Sequence, residues 1–390
     1  MNELSGFRQG DHRENCVLFV VSDIDRALAF EWIASYSRQW TDFRLAFVFL
    51  TAEMPRTGRI IAGMNFQVVH VKSKGKLHWI QNIVELGYLY KKIKPAVIHC
   101  HLLVANIIGL SARLFYRRAS AVYTRHHSNL HHVYHPKGVI WDLYANYLST
   151  RIVSISPAVT SVLTEREHVP LRKIVEIPHG FNLNDFKNVC QTRVDSFLCR
   201  HNIPKHKRLI GVISRFVVWK GVDYVIHAFM KLLARHDSLH LVLLNAVGPH
   251  NDTIARELNM LPDNSFTKIA FDEDIAAVYA SFTCFVHVPI DQLSEAFGQT
   301  YVEALAAGVP SVFTLSGIAT SFIEHEKHAL VVPFKNSDAI ERAIDRLLQD
   351  EELRERLAVA GAAVVERLFN LSVMMSRLRE LYMREVARQN

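Results

Sequence analysis

Glu295 and Glu303 stand eight residues apart and enclose Phe297, Gly298, Gln299 and Thr300, a set of residue types that together imply a chemistry. An apolar, strand-like run over residues 283–288 leads into the stretch, and good helix formers fill 298–307 until Gly308 and Pro310 stop them. One carboxylate therefore lies in a loop and the other on a helix. The amides of Gly298, Gln299 and Thr300 open that helix as orphan donors at the positive end of its dipole, which makes a place for a phosphate. Glu303, one turn further in, is a poor phosphate ligand but a good acceptor for sugar hydroxyls, as an acidic residue is for ribose in dinucleotide folds. The pattern predicts a site for a nucleotide that carries a sugar.

A second set precedes it. The strand-like run 209–213 ends at Ser214-Arg215, and Trp219-Lys220-Gly221 follows just before a helical pattern that begins near Val222. Arg215 supplies a bidentate donor and Lys220 a point charge on a loop that opens a helix, which suits a diphosphate. Ligands of open parallel sheets bind beyond the carboxyl ends of the strands, where both sets lie.

The two stretches resemble the Glu-x7-Glu and Arg-x4-Lys-Gly motifs of retaining glycosyltransferases with the GT-B fold, above all glycosyltransferase family 4. The filling adds weight: Ser-Glu-x-Phe-Gly before Glu303, and Ala-x-x-x-Gly-x-Pro after it. The resemblance implies that Arg215 and Lys220 neutralise the leaving nucleoside diphosphate. It also implies that Glu303 holds the ribose and that Glu295 lies by the donor sugar, with Phe297, Gly298, Gln299 and Thr300 around them. A histidine near the reaction centre belongs to the same pattern. His101, at the end of Val97-Ile98-His99-Cys100-His101, matches it, and His126 after the next strand matches a second, less specific position. The first strand-to-helix turn usually carries a Gly-Gly pair in this family, whereas here Ser22-Asp23-Ile24-Asp25 stands in its place. Ser22 and Asp23 are therefore acceptor-side candidates together with His126.

The run His126, His127, His131, His132, His135 invites a metal reading, because His127 and His131 have the helical i, i+4 spacing that binds zinc. With no carboxylate between them and no cysteine near, the expectation is no metal and no cofactor. The substrate itself would be a nucleoside-diphosphate sugar, with UDP or GDP as the nucleotide.

These residues need two scaffolds. The 390-residue chain exceeds a usual single core, and apolar strands alternate with helical patterns in both halves, which predicts two Rossmann-like parallel-sheet domains. Turn formers over 178–186 mark the boundary. The expected fold is α/β of GT-B type, its domains facing across a cleft. It comprises an acceptor-side domain over 1–185, a donor-nucleotide domain over 186–370, and a helix over 371–390 that crosses back onto the first.

Charge is uneven along the chain. Residues 1–185 carry 22 Lys and Arg against 14 Asp and Glu, whereas 186–390 carry 23 against 24. A basic first half points to a polyanionic surface, an anionic membrane leaflet or a phosphorylated acceptor, and Lys72, Lys74, Lys76, Lys91, Lys92 and Lys94 gather around one helix beside Trp79, as a solvated surface or a membrane or lipid-phosphate contact. No nucleic-acid module accompanies the charge. The polar start over 1–15 has no signal-peptide order, and no apolar run approaches the length of a membrane span. The location expected is cytoplasmic, peripheral at the inner face of the membrane. Five scattered cysteines read as buried thiols. The predicted activity is hexosyl-like transfer to a hydroxyl of a glycan or lipid-linked acceptor in bacterial-type envelope glycan synthesis. A sugar-nucleotide epimerase of the same fold, or a non-catalytic sugar-nucleotide-binding partner, would share these motifs.

Overall fold

The computed structural model describes residues 15–389. The segment read above for a leader lies almost wholly outside them. Residues 15–181 together with 371–389 form one compact unit, and 182–370 form a second.

The first unit is built on seven parallel strands: β1 Asn15–Ser22, β2 Phe43–Thr51, β3 Gln67–Lys72, β4 Val97–His101, β5 Ser120–Arg125, β6 Arg151–Ser154 and β7 Ile174–Glu176. Their order is β3-β2-β1-β4-β5-β6-β7. From Cys16 to Ser22, β1 is buried throughout, as a central strand covered on both faces must be. Phe19 stacks on Phe47. The C-terminal helix Leu371–Ala387 belongs to this unit: Met375, Leu378 and Tyr382 enter its core, and the Glu385 carboxylate accepts from Ser120 Oγ at 2.5 Å and Arg151 Nε at 3.1 Å.

The second unit has six parallel strands: β8 Arg208–Ile213, β9 Leu239–Leu244, β10 Phe266–Ile269, β11 Cys284–His287, β12 Ser311–Phe313 and β13 Leu330–Val331, in the order β10-β9-β8-β11-β12-β13. In each sheet the chain leaves one central strand toward one edge and a neighbouring strand toward the other. These reversals fall between β1 and β4 and between β8 and β11, the points at which open parallel sheets of this kind bind ligands beyond their strand ends.

Two helices, Arg56–Gly63 and Gln191–Arg200, occupy stretches where the pattern predicts no element. The cysteine expectation is corrected in part: Cys16, Cys100 and Cys284 are buried, but Cys190 and Cys199 are exposed. Both sit at the Gln191–Arg200 helix, whose buried residues are Val194, Phe197 and Leu198. Among the described residues no helix is long and apolar enough to cross a membrane.

Candidate active site

The reversal between β8 and β11 collects most of the predicted donor residues. After β8 the chain makes a single 3-10 turn, Val218–Lys220, and Gly221 follows at φ +66°. A Cβ on Gly221 would lie 2.3 Å from the Val288 carbonyl, so only glycine lets this turn pack against the end of β11. The Ile290 amide donates to the Trp219 carbonyl at 3.1 Å and ties the two loops together.

The loop after β11 is fastened to the one after β12. The Glu295 amide donates to Ser316 Oγ at 2.9 Å, and the Ile318 amide to the Phe297 carbonyl at 2.9 Å. Gly298 at φ +86° then turns the chain into the helix Gln299–Ala306, and a Cβ placed there would lie 3.5 Å from Glu295 Cγ. The opening of the helix thus sits beside Glu295, with Phe297 buried between them in sequence.

Lys220 Nζ donates to Glu295 Oε1, which also bonds His287 Nε2 at 3.0 Å. Burial pushes the Glu295 carboxyl up, but the Lys220 ammonium and the His287 hydrogen bond outweigh it and hold the group at about 2. Glu295 is therefore an ionised acceptor. Because its folded value lies below the ordinary 4.5, it adds stability that is complete above that value and lost as pH falls toward 2. We expect urea unfolding at pH about 3 to show a loss of about 2 kcal/mol from this group, absent in Glu295→Gln. Equal acid sensitivity in the two proteins would refute the pairing.

Glu303 lies one turn into the helix and is buried. Its Oε1 accepts from Gln299 Nε2 at 2.6 Å and its Oε2 from the Tyr279 hydroxyl at 2.9 Å. Burial raises its carboxyl, and the two donors only partly offset this. Thr300 follows Gln299 in the same first turn. Arg215, two residues after β8, has an exposed side chain that makes no ion pair among the described residues. Ser294 Oγ is buried without a hydrogen-bond partner among the described residues, one residue before Glu295.

In the first unit, His101 ends β4 and is buried. Its Nδ1 pairs with His126 Nε2 at 3.1 Å, and the His126 ring stacks on His179 with centroids 5.5 Å apart. His101 Nε2 is buried without a partner among the described residues. His99 is held between the Tyr382 hydroxyl at 2.6 Å and Thr124 Oγ1 at 2.8 Å. Burial lowers all four imidazoles, His99 to about 3 and His179 to about 4, so they act as neutral donors and acceptors. Leu102, directly after His101, has φ +73° and ψ 161°, a region normally left to glycine, so strain is stored beside the histidine.

Of the acceptor-side candidates, Ser22 is fully buried, and its Oγ accepts from the Ala105 amide at 3.0 Å near the start of the helix Leu103–Ala112. Asp23 is exposed at φ +53°, a left-handed conformation that suits glycine best and that Asp tolerates.

The histidine run closes on acids the sequence reading did not bring to it. Arg125 is buried, and its Nη2 donates to Asp142 Oδ2 at 2.9 Å and to Glu167 Oε1 at 2.6 Å. His127 and His131 bond the same Asp142 oxygen at 3.2 and 2.7 Å, while His132 bonds Glu167 at 3.0 Å. His127, His131 and Asp142 do bring three ligand-type atoms within 4.8 Å of one another. The oxygen they share already receives the guanidinium, so the cluster works as a hydrogen-bonded brace beneath the loop that carries His126.

The family model for Glycosyl transferases group 1 matches residues 196–364, and that for Glycosyltransferase Family 4 matches residues 13–185. Each model covers less than half of the chain and the two fall on different halves, so the chain is a glycosyltransferase that resembles glycosyltransferase family 4. An uncharacterized glycosyltransferase of Methanocaldococcus jannaschii is 24% identical over 67% of this chain and 68% of its own length. The capsular polysaccharide biosynthesis glycosyltransferase CapM of Staphylococcus aureus is 23% identical over 78% of this chain and 80% of its own. Among solved structures, Anabaena HepE in complex with UDP and glucose has a TM-score of 0.80 at 16% identity, covering 94% of this chain and 99% of that one. The fold is therefore GT-B. In this glycosyltransferase, His287, Tyr279, Ser294 and His179 are the neighbours that sequence reasoning missed. His287 carried a signal in ending a strand that leads into the motif, and Ser294 in opening the Ser-Glu-x-Phe-Gly filling, but neither spacing gave a role.

Proposed function

We propose that this glycosyltransferase moves a sugar from a nucleoside-diphosphate sugar to a hydroxyl of a glycan or lipid-linked acceptor, with retention, in bacterial-type envelope glycan synthesis. The carrying observation is the joining of Lys220, Glu295 and His287 beside the opening of the Gln299–Ala306 helix. The diphosphate sits on Lys220, Arg215 and the amides of Gly298, Gln299 and Thr300, the ribose on Glu303, and the sugar near Glu295 and Ser294. The family resemblance adds His101, at the end of β4, as a candidate near the reaction centre. The acceptor oxygen bonds to the anomeric carbon as the bond to the diphosphate oxygen breaks, and the acceptor proton leaves with the diphosphate. Lys220 and the helix amides stabilise the charge that grows there, so the reaction needs no metal. Attack on the leaving-group face follows the family and leaves Glu295 a sugar-binding carboxylate.

UDP is favoured by the likeness to HepE, whose complex contains UDP and glucose, and an envelope role by the likeness to CapM. Such an acceptor places the enzyme in the cytoplasm, peripheral at the inner face of a membrane. The likeness to glycosyltransferases in both halves favours transfer over epimerisation, and product analysis without acceptor separates them.

Replacing Glu303 with Ala tests the donor assignment. Saturating UDP-sugar, at about a hundred times its Kd, should stabilise the parent protein by about 2.7 kcal/mol. Glu303→Ala removes a hydrogen bond to a charged acceptor and should weaken donor affinity roughly thirtyfold. Unchanged affinity and turnover would remove Glu303 from the ribose.

A further inference from the structure

In the helix Val139–Leu148 the usual arrangement is reversed. Its inward residues include Asp142 and Asn146, whereas Ile140, Leu143, Tyr144 and Tyr147 are exposed at i, i+3, i+4 and i+7, with Tyr147 83% exposed. A helix on a solvated surface turns its polar side outward. This one presents an apolar face because Asp142 is required inside, on Arg125.

A second helix repeats the feature nearby. On Trp79–Ile93, Ile80, Val84 and Tyr88 are exposed at i, i+4 and i+8, and Leu77 in the preceding turn is 96% exposed. Both helices pack on the buried helix Leu103–Ala112, and the Trp79 and Trp141 rings meet edge to face at 5.4 Å. Lysines border the apolar residues. Lys76 Nζ lies 6.0 Å from the Trp79 ring, and Lys91 Nζ lies 5.9 Å from Tyr88. From residue 72 to 94 six lysines face a single acid, Glu85.

We propose that these two helices form a membrane-docking face that inserts Leu77, Ile80, Tyr88, Ile140, Leu143 and Tyr147 among the headgroups of an anionic bilayer while the lysines engage the phosphates. The composition distinguishes this occupant from a protein. Protein interfaces are depleted in lysine, whereas aliphatic and aromatic side chains ringed by lysine are the mark of helices that lie in a membrane surface. The proposal deepens the peripheral location given above and rests on that part of the reading. It uses no residue of the donor site.

The full chain should be mixed with vesicles of phosphatidylcholine alone and of phosphatidylcholine with phosphatidylglycerol, and the bound fraction read by flotation. Binding is expected to the anionic vesicles and to fall as salt rises. Ile80→Glu with Tyr147→Glu should lower partition by at least roughly a hundredfold, since each apolar anchor lost and charge gained is worth about a factor of ten. Lys76→Glu with Lys91→Glu should lower it by roughly fivefold per site. All four positions are exposed, so circular dichroism and the UDP-sugar thermal shift should stay as in the parent. A lost thermal shift in the parent protein would sink the donor assignment and leave the docking face untouched. No flotation with anionic vesicles, flotation equal in the substituted proteins, or a dimer in vesicle-free solution dispersed by Tyr147→Glu would each overturn the proposal.

Discussion

Lys220→Ala should lower kcat/KM for the nucleotide-sugar donor about a thousandfold, or about 4 kcal/mol. Two losses combine. The first is the cation facing the diphosphate, whose charge grows as the glycosidic bond breaks, and this loss falls mainly on kcat. The second is structural: buried Glu295 keeps only His287, so its carboxyl must rise from about 2 and part of its contribution to folding disappears. The double change Lys220→Ala with Glu295→Gln separates them, because it removes the unpaired buried charge and should restore most of the stability while leaving turnover low. Lys220→Arg keeps the charge but changes its shape, and should fall between the parent and alanine. Single-turnover rates and urea unfolding on the three proteins give the comparison. If Lys220→Ala retained turnover within about threefold of the parent, Lys220 would be a structural partner of Glu295 and the diphosphate assignment would fall.

That Lys220 and Glu295, 75 residues apart, should meet was legible because chemistry in an open parallel sheet gathers where the strand order reverses, and both sit in loops that follow strands of mainly apolar sequence. The alternation of apolar runs and helical patterns gave both sheets, since buried parallel strands have no polar face to disguise them. What local sequence does not hold is the partner that arrives from elsewhere. Tyr279 on Glu303 comes from a different helix, and nothing in the spacing around either residue announces the other. Ser22 reads as a loop side chain where glycine was expected, yet a distant amide of Ala105 claims its hydroxyl. Cysteine burial is a tendency of the residue type. Cys190 and Cys199 escape it because their helix turns Val194, Phe197 and Leu198 inward instead. The histidine run shows the same limit at larger scale: its i, i+4 spacing was visible, but Asp142 and Glu167, which fix its chemistry, stand on other elements.

Arg125→Leu should cost about 3–5 kcal/mol of stability, because it leaves Asp142 and Glu167 buried without their cation. Both carboxylates keep histidine donors, and the cheapest response is to protonate an imidazole. Burial opposes that at His127, whose ring is already shifted downward despite Asp142 beside it. The destabilisation should therefore shrink at mildly acidic pH, where a charged histidine replaces the guanidinium. A plain cavity left by a lost side chain would give the same loss at every pH. Adding Asp142→Asn and Glu167→Gln to Arg125→Leu should recover much of the loss, since a neutral hydrogen-bonded cluster no longer needs a cation. The functional link runs through the backbone. Arg125 Nε donates to the His127 carbonyl at 3.1 Å and so fixes the turn that aims His126 at His101 Nδ1. Donor affinity, which rests on the other unit, should stay near the parent value while transfer to acceptor falls. A Tm drop of about 10 °C follows from the stability loss for a unit of this size. Equal stability of Arg125→Leu and the parent protein at neutral pH would mean that the buried acids are already protonated, and the brace would need another explanation.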